Sequence, residues 1–279
     1  MKNDNILITG ANGQLGRELS PMLSGAILTD KDELDITNKK IVKEFVGDNK
    51  IDTIINCAAY TAVDKAEEDI DMAGKLNIDG PYNLADSGAK KIIHISTDYV
   101  FDGMNYKPYQ PDDRKSPVSV YGKTKLAGEW MVLENAPIAI VIRTAWLYSP
   151  YGNNFMKTMR RLGSEKGTIS VVADQVGTPT YAYDLANAIV QILPQMSKQN
   201  RGVYHFTNEG VCSWYDFAHE IIKLSGFKCA VNPIPSSAYP TRAKRPFYSV
   251  LDKSKIKDTF DIKIDHWTTA LQRCLERMK

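Results

Sequence analysis

The chain has 279 residues, 43% of them hydrophobic and 24% charged, which argues against intrinsic disorder and provides material for roughly two domains of about 150 residues. Its formal net charge of +2 gives no electrostatic footprint for nucleic acid, so no nucleic-acid partner is expected. The cysteines Cys57, Cys212, Cys229 and Cys274 form no C-x-x-C pair and His94, His205, His219 and His266 no ligand spacing, which speaks against a disulfide framework or a metal site and suits a cytoplasmic protein.

The amino-terminal Met-Lys-Asn-Asp-Asn is no signal peptide and leads into an apolar strand, Ile6 to Thr9. A helix is expected from Gln14 to Leu23, a second strand from Ala26 to Thr29 ending at Asp30, a helix over Ile41 to Val46 and a third strand over Thr53 to Cys57. A long helical stretch around Asp71 to Ser87 precedes a fourth strand, Lys91 to Thr97. Tyr121 to Asn135 reads as a helix with Leu126, Trp130 and Leu133 as its apolar stripe; Pro137 ends it, and Ile138 to Ile142 is a further strand. Strands alternating with helices in this way imply a parallel sheet covered on both faces. No apolar stretch nears the ~18 residues that span a bilayer, and the best one, Ile138 to Leu147, contains Arg143, so no membrane partner is expected.

Beyond Trp146 the rhythm loosens. Asn154 to Glu165 predicts an amphipathic helix, Ile169 to Ala173 a strand, and Tyr181 to Leu193 a helix stopped by Pro194. Val203 to Phe206 reads as a last strand of the first sheet, and Trp214 to Leu224 and His266 to Met278 as helices flanking a Pro-rich basic connection, Asn232 to Pro246. The expected fold is α/β: a Rossmann-type doubly wound parallel sheet with a smaller mixed α/β C-terminal substrate domain. Residues 1–150, with 175–208 returning to it, form the dinucleotide-binding domain; 151–174 and 209–279 form the other.

Two short segments carry the chemistry. Gly10-Ala-Asn12-Gly13-Gln14-Leu15-Gly16 joins a strand to a helix; its glycines permit the tight turn and close backbone approach, and the helix N-terminus faces a pyrophosphate with free N–H groups. Asp30, at the end of the second strand, is placed to accept hydrogen bonds from ribose hydroxyls, which favours NADH; Arg17, Lys31, Lys39 and Lys40 offset its charge, leaving NADH and NADPH both open. Tyr121 and Lys125, four residues apart on a helix, share a face, and the ammonium should lower a phenol pKa that is ordinarily about 10. A phenol so tuned can protonate a carbonyl oxygen as a hydride arrives. Thr97, at the carboxyl end of the fourth strand, is placed to bind the carbonyl oxygen or the phenol.

These segments, with Asn56-Cys-Ala-Ala-Tyr-Thr-Ala-Val-Asp-Lys65, Ser96-Thr-Asp-Tyr-Val-Phe101, Arg143-Thr-Ala-Trp146, Gly152-Asn-Asn-Phe155, Asp174-Gln-Val-Gly-Thr-Pro179 and Tyr239-Pro-Thr-Arg-Ala-Lys-Arg-Pro246, resemble the extended short-chain dehydrogenase/reductases, and among them the dTDP-4-dehydrorhamnose reductase family, over nearly the whole length. The resemblance implies reduction of a nucleotide-linked 4-keto sugar by NADPH or NADH, in the supply of cell-surface polysaccharide. It places Gly13, Gln14 and Leu15 at the pyrophosphate, Asp30 on the adenosine side, Asp35 and Ile36 by the adenine, and Ala59, Tyr60, Thr61 and Ile95 along the cofactor. It makes Tyr121 the proton donor, gives Lys125 the nicotinamide ribose and Thr97 the phenol, and lines the sugar pocket with Val63, Asp98 and Trp146. Arg242, Lys244 and Arg245 would neutralise the substrate diphosphate, unless they are simply a solvated basic loop. Dehydratases resembling this fold carry Thr-Asp-Glu, whereas this chain has Thr97-Asp98-Tyr99; regulatory, non-catalytic relatives also exist. Members of the family include monomers and metal-bridged dimers, and Glu18 with its neighbours shows no decisive ligand pattern, so monomer or homodimer stays open and no metal is assigned.

Overall fold

The computed structural model describes residues 5–278; Met1 to Asp4, where a signal peptide was discounted, lie outside the described residues. The first half runs β1 (Ile6–Thr9), α1 (Gln14–Leu19), β2 (Ile27–Thr29), α2 (Lys39–Asp48), β3 (Thr53–Asn56), α3 (Val63–Ala66) and α4 (Ile70–Gly74). A π-helical turn, Lys75–Asp79, then joins α5 (Gly80–Ala85), followed by β4 (Lys91–Thr97), α6 (Val120–Asn135) and β5 (Ile138–Thr144). The second half holds α7 (Phe155–Glu165), β6 (Thr168–Val172), α8 (Ala182–Ile192), β7 (Gly202–His205), α9 (Trp214–Leu224), β8 (Ala230–Ile234), α10 (Ser254–Phe260) and α11 (Trp267–Glu276).

Six parallel strands make one sheet in the order β7-β5-β4-β3-β1-β2. From β1 the chain moves outward to β2 and then back past β1 to β3, so the order reverses between β1 and β3; a crevice opens beyond the carboxyl ends of strands at such a switch point. Strand side chains alternate between faces. Ile6 and Ile8 therefore pack with α1 and α8 (Leu15, Leu19, Leu185, Ile189), while Leu7, Ile54 and Ile92 pack on the other face with Val42, Leu84 and Val132. A second core gathers Met156 and Met159, Ile169 and Val171, Phe217 and Ile221, and Trp267 and Leu271 from α7, β6, α9 and α11. Arg277 reaches from beyond α11 to the buried Glu18 on α1 with two hydrogen bonds, 3.1 and 3.0 Å, and so ties this core to the first.

Side-chain caps mark several helix starts. The Asn38 side chain accepts from Lys40 and Ile41 N–H to start α2, Ser119 caps α6, Asn154 caps α7, and Ser213 with Asp216 forms a reciprocal capping box on α9. α1 has no side-chain cap at Gly13, so its first N–H groups stay available to a ligand.

Several expectations need correction. α1 stops at Leu19 rather than Leu23, and Pro194 sits inside a 3-10 turn, Leu193–Gln195, that continues from α8. Trp130 is 57% exposed, so no Leu126–Trp130–Leu133 stripe is buried. Leu126 is buried and Leu133 packs against the core as expected, but the buried residues of α6 also include Gly122, Thr124, Lys125, Gly128, Glu129 and Val132. A Cβ at Gly122 would run into the Tyr99 carbonyl and one at Gly128 into the Asn77 carbonyl, so at these two positions the helix lies directly against backbone. The Pro-rich connection contributes β8, which pairs in parallel with β6 through Pro233, and α10 follows it. Among the described residues no helix is long and apolar enough to cross a membrane.

Candidate active site

The crevice at the switch point is a cavity of about 730 Å³, toward the upper end of the range for small-molecule sites. Its floor is the glycine turn. Gly10 has φ +66°, a left-handed conformation, and a Cβ there would collide with Ala58 after β3; one at Gly16 would collide with the Gly10 carbonyl and with Ala11. The backbone can approach a ligand here because no side chain intervenes, and the uncapped start of α1 faces the same space. Such a cradle fits the pyrophosphate of a dinucleotide.

At the β2 end of the cavity Asp30 is pinned beside that turn, accepting from Asn12 N–H at 3.1 Å and Lys31 N–H at 2.9 Å. Asp35 and Ile36 continue the wall, and Ala59 and Thr61 face them from the loop after β3. Asn12 borders a second cavity of about 440 Å³ with Arg17, Glu33 and Tyr151, joined to the first at Thr29 and Asp30. The Arg17 guanidinium donates to the Asn12 carbonyl and lies over the Tyr151 ring.

The opposite end holds Ile95, Thr97, Asp98, Tyr121, Lys125, Val63 and Trp146. Register between β4 and β5 sets Thr97 beside Thr144, and the chain then turns through Trp146, at φ +50°, whose ring stacks on Trp214 at 3.5 Å. Thr97 shares the cavity wall with Tyr121 and acts on the phenol from there, and its hydroxyl donates to Asp98 Oδ1 at 3.0 Å. The Tyr99 ring meets Tyr121 edge-on, and its hydroxyl accepts from Arg245, which is also paired with Asp64 at 2.6 Å.

The expected lowering of the Tyr121 pKa by its lysine is not what the structure shows. Burial raises the phenol well above its usual range, a rise only partly countered by Thr97. Lys125 points instead at the Ile95 carbonyl, donating at 2.6 Å, and burial brings it down to about 8. Behind it lies a buried ladder that spacing alone did not reveal. Thr9 donates to Asn56 Oδ1 at 2.8 Å, and Ala58 N–H donates to the same oxygen at 3.1 Å. The Asn56 amide nitrogen therefore donates to His94 Nδ1 at 3.0 Å, leaving the ring proton on Nε2, 3.5 Å from Lys125 Nζ. Burial, with Lys125 adding to it, holds His94 neutral.

Several expected residues stand off the cavity wall, among them Lys244 and Arg245 of the basic loop. Tyr60 points its hydroxyl to Asp69 while its N–H is held by Asn77; Asn12 faces the second cavity; Arg242 is exposed and pairs with Glu68. Residues not singled out individually also line the cavity, among them Cys57, Ser96, Asn153 and Asn154. Asn154 donates to Gln14 Oε1 at 2.8 Å, so the start of α7 is fastened to the start of α1. The Gly152-Asn-Asn segment was the available signal, since it pairs a turn-forming glycine with a helix-capping asparagine. Among the described residues no group of three or more His, Cys, Asp or Glu is arranged to hold a metal ion.

The family described as the RmlD substrate binding domain matches the chain over residues 4–279. A dTDP-4-dehydrorhamnose reductase of Aggregatibacter actinomycetemcomitans is 43% identical over 96% of this chain and 97% of its own. The crystal structure of a dTDP-4-dehydrorhamnose reductase from Clostridium acetobutylicum superposes with a TM-score of 0.93 at 47% identity, covering 98% of this chain and 99% of that one. A Bacillus anthracis dTDP-4-dehydrorhamnose reductase solved in complex with NADP has the same TM-score at 40% identity, covering 99% and 100%. With glycine turn, threonine, tyrosine and lysine around one crevice and relatives matched along their full length, the chain belongs to the RmlD family of dTDP-4-dehydrorhamnose reductases, within the extended short-chain dehydrogenases/reductases.

Proposed function

We propose that the protein reduces the 4-keto group of dTDP-4-dehydro-β-L-rhamnose to dTDP-β-L-rhamnose with NADPH or NADH. The observation that carries this reading is the convergence of Thr97, Tyr121 and Lys125 on the cavity that begins at the glycine turn. Residues 1–150 with 175–208 would hold the dinucleotide, and 151–174 with 209–279 the sugar nucleotide. The reduced nicotinamide, when bound, supplies the hydride. Gly10, Gly13 and Gly16 let the main chain close on the pyrophosphate, and Asp30 takes the adenosine ribose. Tyr121 gives its proton to the oxygen of the carbonyl being reduced, Thr97 orients the phenol, and Lys125 stabilises the phenolate once it forms. Val63, Asp98 and Trp146 enclose the sugar.

Tyr99, where dehydratases resembling this fold have glutamate, supports reduction over elimination: its hydroxyl is held by Arg245 and burial pushes it up to about 12, so it offers no carboxylate base. Cofactor oxidation, followed by loss of reduced-nicotinamide absorbance with dTDP-4-keto sugars against UDP and GDP analogues, tests the reading with both NADPH and NADH. Tyr121→Phe should keep dinucleotide affinity and lose about 10²–10⁴ in turnover, the usual range of general-acid help. Near-normal turnover in that variant would remove Tyr121 from its role.

A further inference from the structure

Asp98 borders the cavity and is 3% exposed. Its Oδ1 accepts from Thr97 at 3.0 Å and Ser249 approaches the same carboxyl, yet Oδ2 is sealed from solvent with no hydrogen-bond partner among the described residues. A carboxylate oxygen in that position is costly, a neutral acid much less so. Burial accordingly pushes Asp98 up to about 7.

Thr97 joins this acid to the phenol. A hydroxyl has one proton and two lone pairs. Thr97 accepts from Tyr99 N–H (3.2 Å) and donates to Asp98 (3.0 Å), so with Tyr121 protonated its second lone pair is free to accept from the phenol. With Tyr121 deprotonated, Thr97 can donate to the phenolate and accept from Asp98, still bonded to Tyr99 N–H. Both states use the full capacity of the hydroxyl, and they differ only in where protons sit.

The geometry points to Asp98 as the proton reservoir that restores the Tyr121 phenol, through Thr97, after the phenol has protonated the substrate. This rests on the reductase reading. The carbonyl carbon gains a hydride from the reduced dinucleotide, and its oxygen gains the Tyr121 proton as that O–H bond breaks. The phenol O–H re-forms at the expense of the Thr97 O–H, and the Thr97 O–H at the expense of the Asp98 O–H. The sum is one alcohol and one aspartate carboxylate, which takes a proton from solvent once product leaves.

The direction follows from intrinsic acidity: a phenol ordinarily holds its proton far more tightly than a carboxylic acid, and burial raises both groups without reversing that order, so the negative charge is better held on Asp98. The groups around the acid are Thr97 and Tyr99 beside it in sequence, Tyr121 on α6 and Ser249 on the loop before α10, while Arg245 and Asp64 lie one step further out, around Tyr99, and Lys125 lies on α6 one turn from Tyr121. The cations are engaged elsewhere, Lys125 by the Ile95 carbonyl and Arg245 by Tyr99 and Asp64.

The test uses the full chain, wild type and Asp98→Asn and Asp98→Glu variants. Infrared difference spectra of the wild type should contain a protonated carboxyl band at neutral pH that Asp98→Asn lacks. The wild-type kcat should fall as pH rises through about 7, when the reservoir empties. Asp98→Asn should lower kcat ~10–100-fold, the lower part of the range for lost acid–base help, and abolish that limb, and Asp98→Glu should bring it back. Unchanged kcat and an unchanged limb in Asp98→Asn, with only KM raised, would overturn the relay and leave the reductase standing. An Asp98 found ionised throughout the neutral range in the wild type would overturn it without any variant. Failure of the wild type to turn over any keto sugar nucleotide, with the carboxyl band present, would instead strike down the reductase reading, and the relay with it.

Discussion

The two sides of the cavity are held in opposite ways. Beneath the glycine turn, polar groups sealed from water support one another: Thr9, Asn56 and His94 in one line, and Ser96, Glu129 and Arg143 in another. Ser96 donates to Glu129 at 2.5 Å, Glu129 pairs with Arg143 at 2.7 Å, and Arg143 also donates to the Pro111 carbonyl at 3.0 Å. Near the basic loop the ties are more open to water, with Arg242 on Glu68 exposed and Arg245 on Asp64 part-buried. Charges in water lose little when separated, whereas buried ones must be matched in full. One side is therefore held by matched buried charge, while the basic loop beside the other is held by pairs that cost less to separate.

The sharpest attack on this contrast is Glu129→Gln. It leaves Arg143, 1% exposed, without its counter-charge, and should destabilise the fold by about 3–5 kcal/mol in denaturant unfolding. A shift under 1 kcal/mol would mean the buried side is no better fixed than the wet one. Next in size is the response to acid. His94 and His205 are held neutral, well below the ordinary 6.5, so the unfolded chain binds protons there that the folded one does not. Their stabilisation is complete above pH 6.5 and is lost as pH falls below it, at about 1.4 kcal/mol per pH unit for each. Asp98 acts with the opposite sign between its ordinary 3.8 and about 7, because there the folded state holds the extra proton. Between pH 5.5 and 6.5, His94→Asn should therefore flatten the rise of stability with pH and Asp98→Asn should steepen it. Equal slopes in both variants would break the argument. Smallest is Arg242→Ala, expected to change stability by no more than about 1 kcal/mol, since the pair is 63% and 59% exposed. A larger loss in thermal unfolding would make the basic loop part of the framework.

What the sequence revealed divides along a similar line. β1 to β5 could be read because each is a run of apolar residues between turn signals, and α9 because Ser213 and Asp216 mark its start and an apolar face follows. The cavity's glycine, threonine, tyrosine and lysine could be placed together because strand-end positions in a parallel sheet converge. α6 misled, since its inward side is chosen for closeness to Tyr99 and Asn77 and for the charges it must bury, neither of which has an apolar period. The His94 ladder had no signature because its members meet only through the register of β1, β3 and β4. The phenol's upward shift was missed because one sequence neighbour was weighed and the surrounding desolvation was not.

The π-helical turn at Lys75–Asp79 has a consequence for chain length. It holds Asn77, whose side chain grips Tyr60 on both its N–H and its carbonyl and donates to Thr124 on α6. A turn of this kind carries one residue more than ordinary helix, and each residue advances the winding by about 100°. Deleting one residue there would leave a continuous and better-bonded helix, yet swing the amide away from both partners and unlatch the loop after β3. A single-residue indel at this spot would register at the crevice before it registered in helix content.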